Sequence, residues 1–276
     1  MKASPIVKWA GGKTKLLPRL MAHVPARYGR YFEPFMGGAA LFFALEPRAA
    51  SIGDVNPALV TLYRAVASEL GEVIRVALGH KALHADTAYY YDVRRRWNVP
   101  ALRGAMSPAE VAGTFIYLNK TCFNGLWREN KNGGFNVPRG SYVDPAVINE
   151  DELRAAGVAL AKARITCGSF QETTADAESG DFAYFDPPYD PLSETSSFTS
   201  YAATPFGKKE QRVLAEHARA LDARGVFVML SNNDTPLIRD LYEGFMIETA
   251  PCGRSINSKA DGRGKIDEVI ITSRRA

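Results

Sequence analysis

The sequence predicts an α/β fold: a doubly wound, mostly parallel sheet with an antiparallel pair at one edge. Three observations carry this reading. Short apolar runs end in polar or Gly/Pro loops, helical patterns lie between them, and two strand-like runs close the chain. The first strand is expected at Tyr31 to Pro34, running into FMGG and the helix-like AALFFAL. The short apolar Ile52 leads to Asp54, placed to end a second strand. A third run, Phe182 to Phe185, passes directly into Asp186-Pro187-Pro188-Tyr189. In KKEQRVLAEHARALDARG, Val213, Leu214, Ala218 and Leu221 share a helical face and Gly225 supplies the stop. The strand Val226 to Leu230 follows. Phe245 to Ala250 and Ile266 to Thr272 then read as two strands joined by a Gly- and Lys/Arg-containing loop. Ligands of such a sheet sit at the carboxyl ends of its strands.

The β/α rhythm breaks in the middle, most clearly from Tyr89 to Val147. There a basic helix-like stretch precedes LNKTCFNGLWRENKNGGFNVPRG, and Asn132, Gly133 and Gly134 have the chemistry of a hairpin tip. An inserted, mainly helical domain with a β-hairpin is expected. Between Arg94 and Arg139 the local balance is +6 against +4 for the whole chain, leaving the remainder slightly acidic. Such a segment suits either a phosphate-contacting surface or a solvated face. Cys122, Cys167 and Cys252 lack C-x-x-C spacing, which argues against a disulfide framework and a cysteine zinc site. His80 and His84 stand four apart without a carboxylate or Cys cluster, so they are read as structural, and no metal is expected. Without a signal-like or membrane-spanning apolar run, a soluble cytoplasmic protein is expected.

Asp186-Pro187-Pro188-Tyr189 is the sharpest chemical signal, because it follows an apolar strand at the end where such sheets build sites. An amine conjugated into an aromatic ring is a poor nucleophile until its lone pair is localised. A carboxylate such as Asp186 and a rigid carbonyl beside proline can each accept one amino hydrogen, and Tyr189 can stack on the ring. In a duplex that amine is hidden, so the base would have to be flipped out. The competing reading is a proline-stiffened turn. In FEPFMGG, the small Gly37 and Gly38 allow close backbone approach to a cofactor, and Asp54 suits ribose hydroxyls. A nicotinamide site is disfavoured because Gly37-Gly38-Ala39-Ala40 does not fit G-x-G-x-x-G. KWAGGK, from Lys8 to Lys13, lacks the full phosphate-loop pattern.

With KWAGGK, FEPFMGG and DPPY in this order, the chain resembles the Dam family of DNA adenine methyltransferases, including the Dpn-type restriction-system enzymes. The likeness extends to FNGLWR, FNVPRG, DPPYDPLSETSSFTSY, MLSNND and RSINSKADGRGKIDE, and departs from the best-known pattern at Thr121, Cys122 and Trp127. It implies a Rossmann-like catalytic domain of residues 1–70 and 148–276, with a DNA target-recognition domain inserted at 71–147. It implies S-adenosylmethionine as methyl donor, bound by Trp9, Lys13, Gly37, Asp54 and Asp186, with Asp186, Pro187 and Tyr189 at the target amine. On the DNA side it implies Phe123 as the wedge in the base stack with Asn124 beside it. Leu126, Arg128 and Pro138 would read bases from the hairpin, and Lys8 and Tyr142 the other side of the site. The expected target is adenine in GATC of double-stranded DNA, where Arg128 can make a bidentate contact with guanine and Leu126 and Pro138 can meet a thymine methyl. A restriction endonuclease acting on the same site, without direct contact, is a further expected partner. The competing reading is that Phe123, Trp127 and Phe135 form a small core of the insert, which suits Trp127 and Phe135 at least as well as a surface role. A methyltransferase for another planar amine, such as protein glutamine, would have less use for the basic insert, and a catalytically dead DNA-binding module would be free to lose Asp186.

Overall fold

The computed structural model describes residues 2–130, 132–190, 206–252 and 266–274. Most of the segment after DPPYD and the loop expected between the last two strands lie outside them. Among the described residues one seven-stranded sheet forms, in the order β3-β2-β1-β4-β5-β7-β6. Its strands are β1 (Tyr31–Glu33), β2 (Ala50–Asp54), β3 (Ala163–Cys167), β4 (Phe182–Phe185), β5 (Phe227–Asn233), β6 (Met246–Cys252) and β7 (Ile266–Thr272). Neighbours from β3 through β5 are parallel, whereas β7 runs antiparallel to both β5 and β6. The expected α/β class and its antiparallel edge are therefore present.

Helices cover both faces of the sheet. They are α1 (Leu17–Ala22), α2 (Ala40–Leu45), α3 (Pro57–Ser68), α4 (Leu70–Ala82), α5 (Thr87–Trp97), α6 (Pro100–Gly104), α7 (Pro108–Thr121), α8 (Glu150–Leu160), α9 (Phe170–Thr173), α10 (Lys208–Ala223) and α11 (Pro236–Leu241). Their starts are written in the sequence. The Asn56 side chain accepts from the N–H groups of Ala58 and Leu59 with Pro57 at the first helical position, and Ser107 with Glu110 forms a capping box on α7. Alternation along the strands sends Tyr31, Tyr184 and Met229 into one apolar cluster with α1 to α5, α7 and α8, and Phe32, Phe185 and Leu230 into another with α9 to α11. Each large apolar side chain so buried contributes about 1.5–3 kcal/mol.

One detail departs from the expected face of α10. Val213 is 38% exposed, and the buried stripe is Gln211, Leu214, Ala215, Ala218 and Leu221, which places a glutamine where an apolar residue would be anticipated. Helices α4, α5 and α7 and the following hairpin share the first cluster with α3 and α8. The hairpin turn is closed by Asn130 N–H to Gly134 O and Gly133 N–H to Asn130 O, with Gly133 at φ +73°. Strand pairing around it consists of the bridges Glu129 to Phe135 and Cys122 to Arg139. His80 bonds the Tyr89 hydroxyl and the Thr114 hydroxyl, and His84 bonds the Tyr117 hydroxyl, so both are held within the protein fabric.

Candidate active site

Strand order reverses between β1 and β4, and a crevice outside their carboxyl ends is where an open α/β sheet holds its ligand. Asp186 follows β4 at this point. Its carboxylate pairs with the Lys13 ammonium at 2.7 Å and accepts from the Ser231 hydroxyl at 2.9 Å. Lys13 is 8% exposed and Asp186 19%, so the pair is largely shielded yet reachable. Lys13 also lies 4.6 Å from the centre of the Tyr189 ring and donates to Gly11 O, which fixes the KWAGGK loop over the Asp186-Pro187-Pro188-Tyr189 turn. Burial raises the Asp186 carboxyl above its ordinary range, opposed by the charge and hydrogen bond of Lys13 and by Ser231.

Behind the pair lies a buried polar layer on the same face of the sheet. Glu33, at the end of β1, accepts from the Tyr31 hydroxyl at 2.7 Å and from Phe42 N–H at 3.0 Å. Its burial pushes the carboxyl up to about 8, with Asp186 adding repulsion. The Tyr184 hydroxyl meets Ser231 at 2.9 Å; because Ser231 donates to Asp186, Tyr184 is the donor to Ser231. Tyr189 donates to Glu268 on β7 at 3.1 Å. Glu33, Tyr184, Ser231 and Glu268 were not picked out as site residues in the sequence. Glu33, Ser231 and Glu268 fall in the motifs FEPFMGG, MLSNND and KIDE, which is the available signal.

Gly37, Trp9 and Asp54 form a second cluster, beyond the ends of β1 and β2. Gly37 adopts φ +42°, and a Cβ there would lie 2.7 Å from Trp9 Cδ1, so only glycine fits against the indole. Asp54, at the end of β2, accepts from Gly37 N–H at 3.1 Å and from Asn56 N–H at 2.9 Å. Burial pushes its carboxyl up to about 6. Among the described residues it forms no ion pair with Lys or Arg, and its oxygens retain lone pairs for hydroxyl donors. A narrow glycine-lined backbone beside an indole, with a carboxylate at its end, fits a nucleoside with free ribose hydroxyls.

The predicted DNA-side residues lie on and beside the hairpin, and on the N-terminal segment that Asn119 joins to it. Asn119 on α7 bonds Lys8 at both N–H (3.0 Å) and O (2.9 Å), and also reaches Gly125 O at 3.3 Å. The Lys8 stem crosses Gly125, where a Cβ would come within 2.7 Å of it. Phe123 N–H donates to Pro138 O at 2.8 Å, and Asn124 takes φ +58°, a conformation that asparagine tolerates better than most residues. Phe123 is 55% exposed and Leu126 37%. Arg128, exposed, is oriented by its Nε bond to Asn136 at 2.9 Å. Tyr142 packs on Gly140, and its carbonyl meets His84 at 3.2 Å. By contrast Trp127 and Phe135 are core residues, stacked at 4.3 Å, with Trp127 lying 3.8 Å over Phe115. Phe115 stacks in turn on Trp9 at 6.3 Å, so one aromatic column ties the hairpin to the KWAGGK segment.

Comparison with known proteins agrees with this geometry. The family described as D12 class N6 adenine-specific DNA methyltransferase matches residues 9–251. The chain is 39% identical over 271 residues to the Type II methyltransferase M1.LlaDCHI of Lactococcus lactis subsp. cremoris, covering 98% of this chain and 95% of that protein. It is 39% identical over 281 residues to the Type II methyltransferase M.MjaIII of Methanocaldococcus jannaschii, covering 95% and 96% of the two. It is 34% identical over 270 residues to the DNA adenine methylase of Escherichia coli K12, covering 98% and 95%.

Proposed function

The chain belongs to the D12 class N6 adenine-specific DNA methyltransferases, and from that premise we propose that it methylates the 6-amino group of a flipped-out adenine in GATC of duplex DNA, with S-adenosylmethionine as donor. The observation that carries this reading is the Asp186 carboxylate, held by Lys13 and Ser231 at the sheet's switch point beside Tyr189. Trp9, Lys13, Gly37, Asp54 and Asp186 would hold the cofactor, which when bound supplies an electrophilic methyl group.

The chain's own part is to make the amine nucleophilic. Asp186 accepts one amino hydrogen and the Pro187 carbonyl the other, which localises the nitrogen lone pair, while Tyr189 covers the base face. Asp186 is then the nearest base for the proton that the amine must lose, and its burial-raised affinity suits that role. Residues 71–147 form the target-recognition part. There Phe123 enters the stack with Asn124 at its side, offsetting part of the unstacking cost. Arg128, Leu126 and Pro138 read base edges from the hairpin, and Lys8 and Tyr142 from the opposite side. A restriction endonuclease of the same target would act without touching this chain. The test is to incubate the purified protein with methyl-labelled S-adenosylmethionine and duplexes carrying GATC or its single-base variants. Label confined to GATC adenine supports the reading, and equal label on the variants overturns the target assignment.

A further inference from the structure

The loop that carries the chemistry has an unusual shortage of its own fastenings. Pro187 and Pro188 have no N–H, so the catalytic turn cannot be closed by main-chain donors at those positions. Its shape is held from outside. Gln211, on the otherwise apolar face of α10, donates from Nε2 to Pro188 O at 2.8 Å. Its Oε1 accepts from Asn232 Nδ2 at 3.1 Å, and Asn232 Oδ1 accepts from Asp190 N–H at 3.0 Å. Asn233 donates to Asp190 O at 2.6 Å and Thr235 to the Asp190 carboxylate at 2.8 Å. Gln211 and Asn232 are both 0% exposed, where an unsatisfied amide is costly and an apolar side chain would be the ordinary choice.

We propose that Gln211, braced by Asn232, is a positioning residue for methyl transfer: it pins the Pro188 carbonyl and thereby aims the Pro187 carbonyl at the target amine. The inference rests on the reading that Asp186 and Pro187 receive the two amino hydrogens. Because the ring of Pro188 fixes its φ, anchoring the carbonyl that follows leaves ψ of Pro188 as the one torsion by which the preceding peptide plane can turn. The catalytic acceptor and the clamp then belong to one rigid unit spanning β4, β5 and α10. Gln211 touches neither substrate nor cofactor on this account, so its loss should slow the chemical step and spare binding.

Two substitutions test this in single-turnover methylation with saturating cofactor and GATC duplex, alongside equilibrium binding of each and thermal melting. Gln211→Met keeps the volume and removes the donor. Its rate constant should fall at least about tenfold with both dissociation constants within about twofold of wild type, as expected for a misaimed catalytic group. Gln211→Glu can donate to Pro188 only when protonated, so its rate relative to wild type should climb as the pH is lowered, a rescue that a purely packing role would not give. The proposal is overturned if Gln211→Met retains a rate within about twofold of wild type, or if its rate and binding fall together. A Gln211→Glu ratio that does not change with pH also overturns it, and this variant decides the matter should Gln211→Met fail to fold. Asp186→Ala in the same assay separates the two levels: a wild-type rate there removes the amine reading itself, whatever Gln211 does.

Discussion

Glu33→Gln should stabilise the protein, and do so more strongly as the pH rises. Glu33 is 2% exposed, its Oε2 is served by Tyr31 and Phe42, and burial lifts the carboxyl from an ordinary 4.5 to about 8. A carboxyl whose folded affinity for the proton exceeds its unfolded affinity makes the folded state bind more protons. Stability is then lost as pH climbs from the unfolded value to the folded one. At about 1.4 kcal/mol per unit, the penalty is about 1 kcal/mol near pH 5, about 3 near pH 7 and between 4 and 5 above pH 8. Glutamine can keep both accepted hydrogen bonds and does not titrate. Urea or thermal unfolding of both proteins across this range should therefore give a difference that widens by about 2 kcal/mol from pH 5 to pH 7, or about 2–4 °C of Tm for each kcal/mol in a chain of this size. A difference independent of pH would refute the reasoning. Destabilisation at every pH would mean that Glu33 is ionised and held by Lys13.

Three further outcomes follow from the site. Lys13 holds the Asp186 carboxyl down against burial, so Lys13→Gln should move the acid limb of the single-turnover pH profile to higher pH, and an unmoved limb would separate the two residues. Asp54→Ala should weaken S-adenosylmethionine binding by roughly 1.5–3 kcal/mol for each charge-assisted hydrogen bond lost, leaving DNA binding nearly intact. Calorimetry with unchanged cofactor affinity would make Asp54 a brace for Gly37 alone. Arg128→Ala should cost about 1–3 kcal/mol on GATC and relax discrimination at one position, whereas a uniform loss on all sequences would mark a phosphate contact.

Much of the sheet could be read from the sequence where one physical signal dominated. FAYF is a buried apolar run, and IDEVIIT carries one in Val269 to Ile271; β4 and β7 span the two expected segments. β3 was missed because Ile165 is its one buried side chain, an edge strand without an apolar run. β5 extends past the expected Leu230 through Ser231, Asn232 and Asn233, which look like loop residues. They stay in the strand because Asp186, Gln211 and Asp190 supply their hydrogen-bond partners, a fact of tertiary arrangement. The same limit hid Glu33, whose partners come from Tyr31 two residues before it and from α2. Trp127 and Phe135 do lie in a stacked core, the place the sequence offers them beside a surface role, and Phe123 stays exposed.

The most direct test of the account is the rate of methyl transfer in Asp186→Ala, measured in a single turnover with saturating cofactor and duplex and with both binding constants determined in parallel. The account predicts a loss of at least about a hundredfold with cofactor and DNA affinity largely kept, because the carboxylate acts on the amine as it becomes nucleophilic. A rate within about tenfold of wild type on duplex DNA would contradict it.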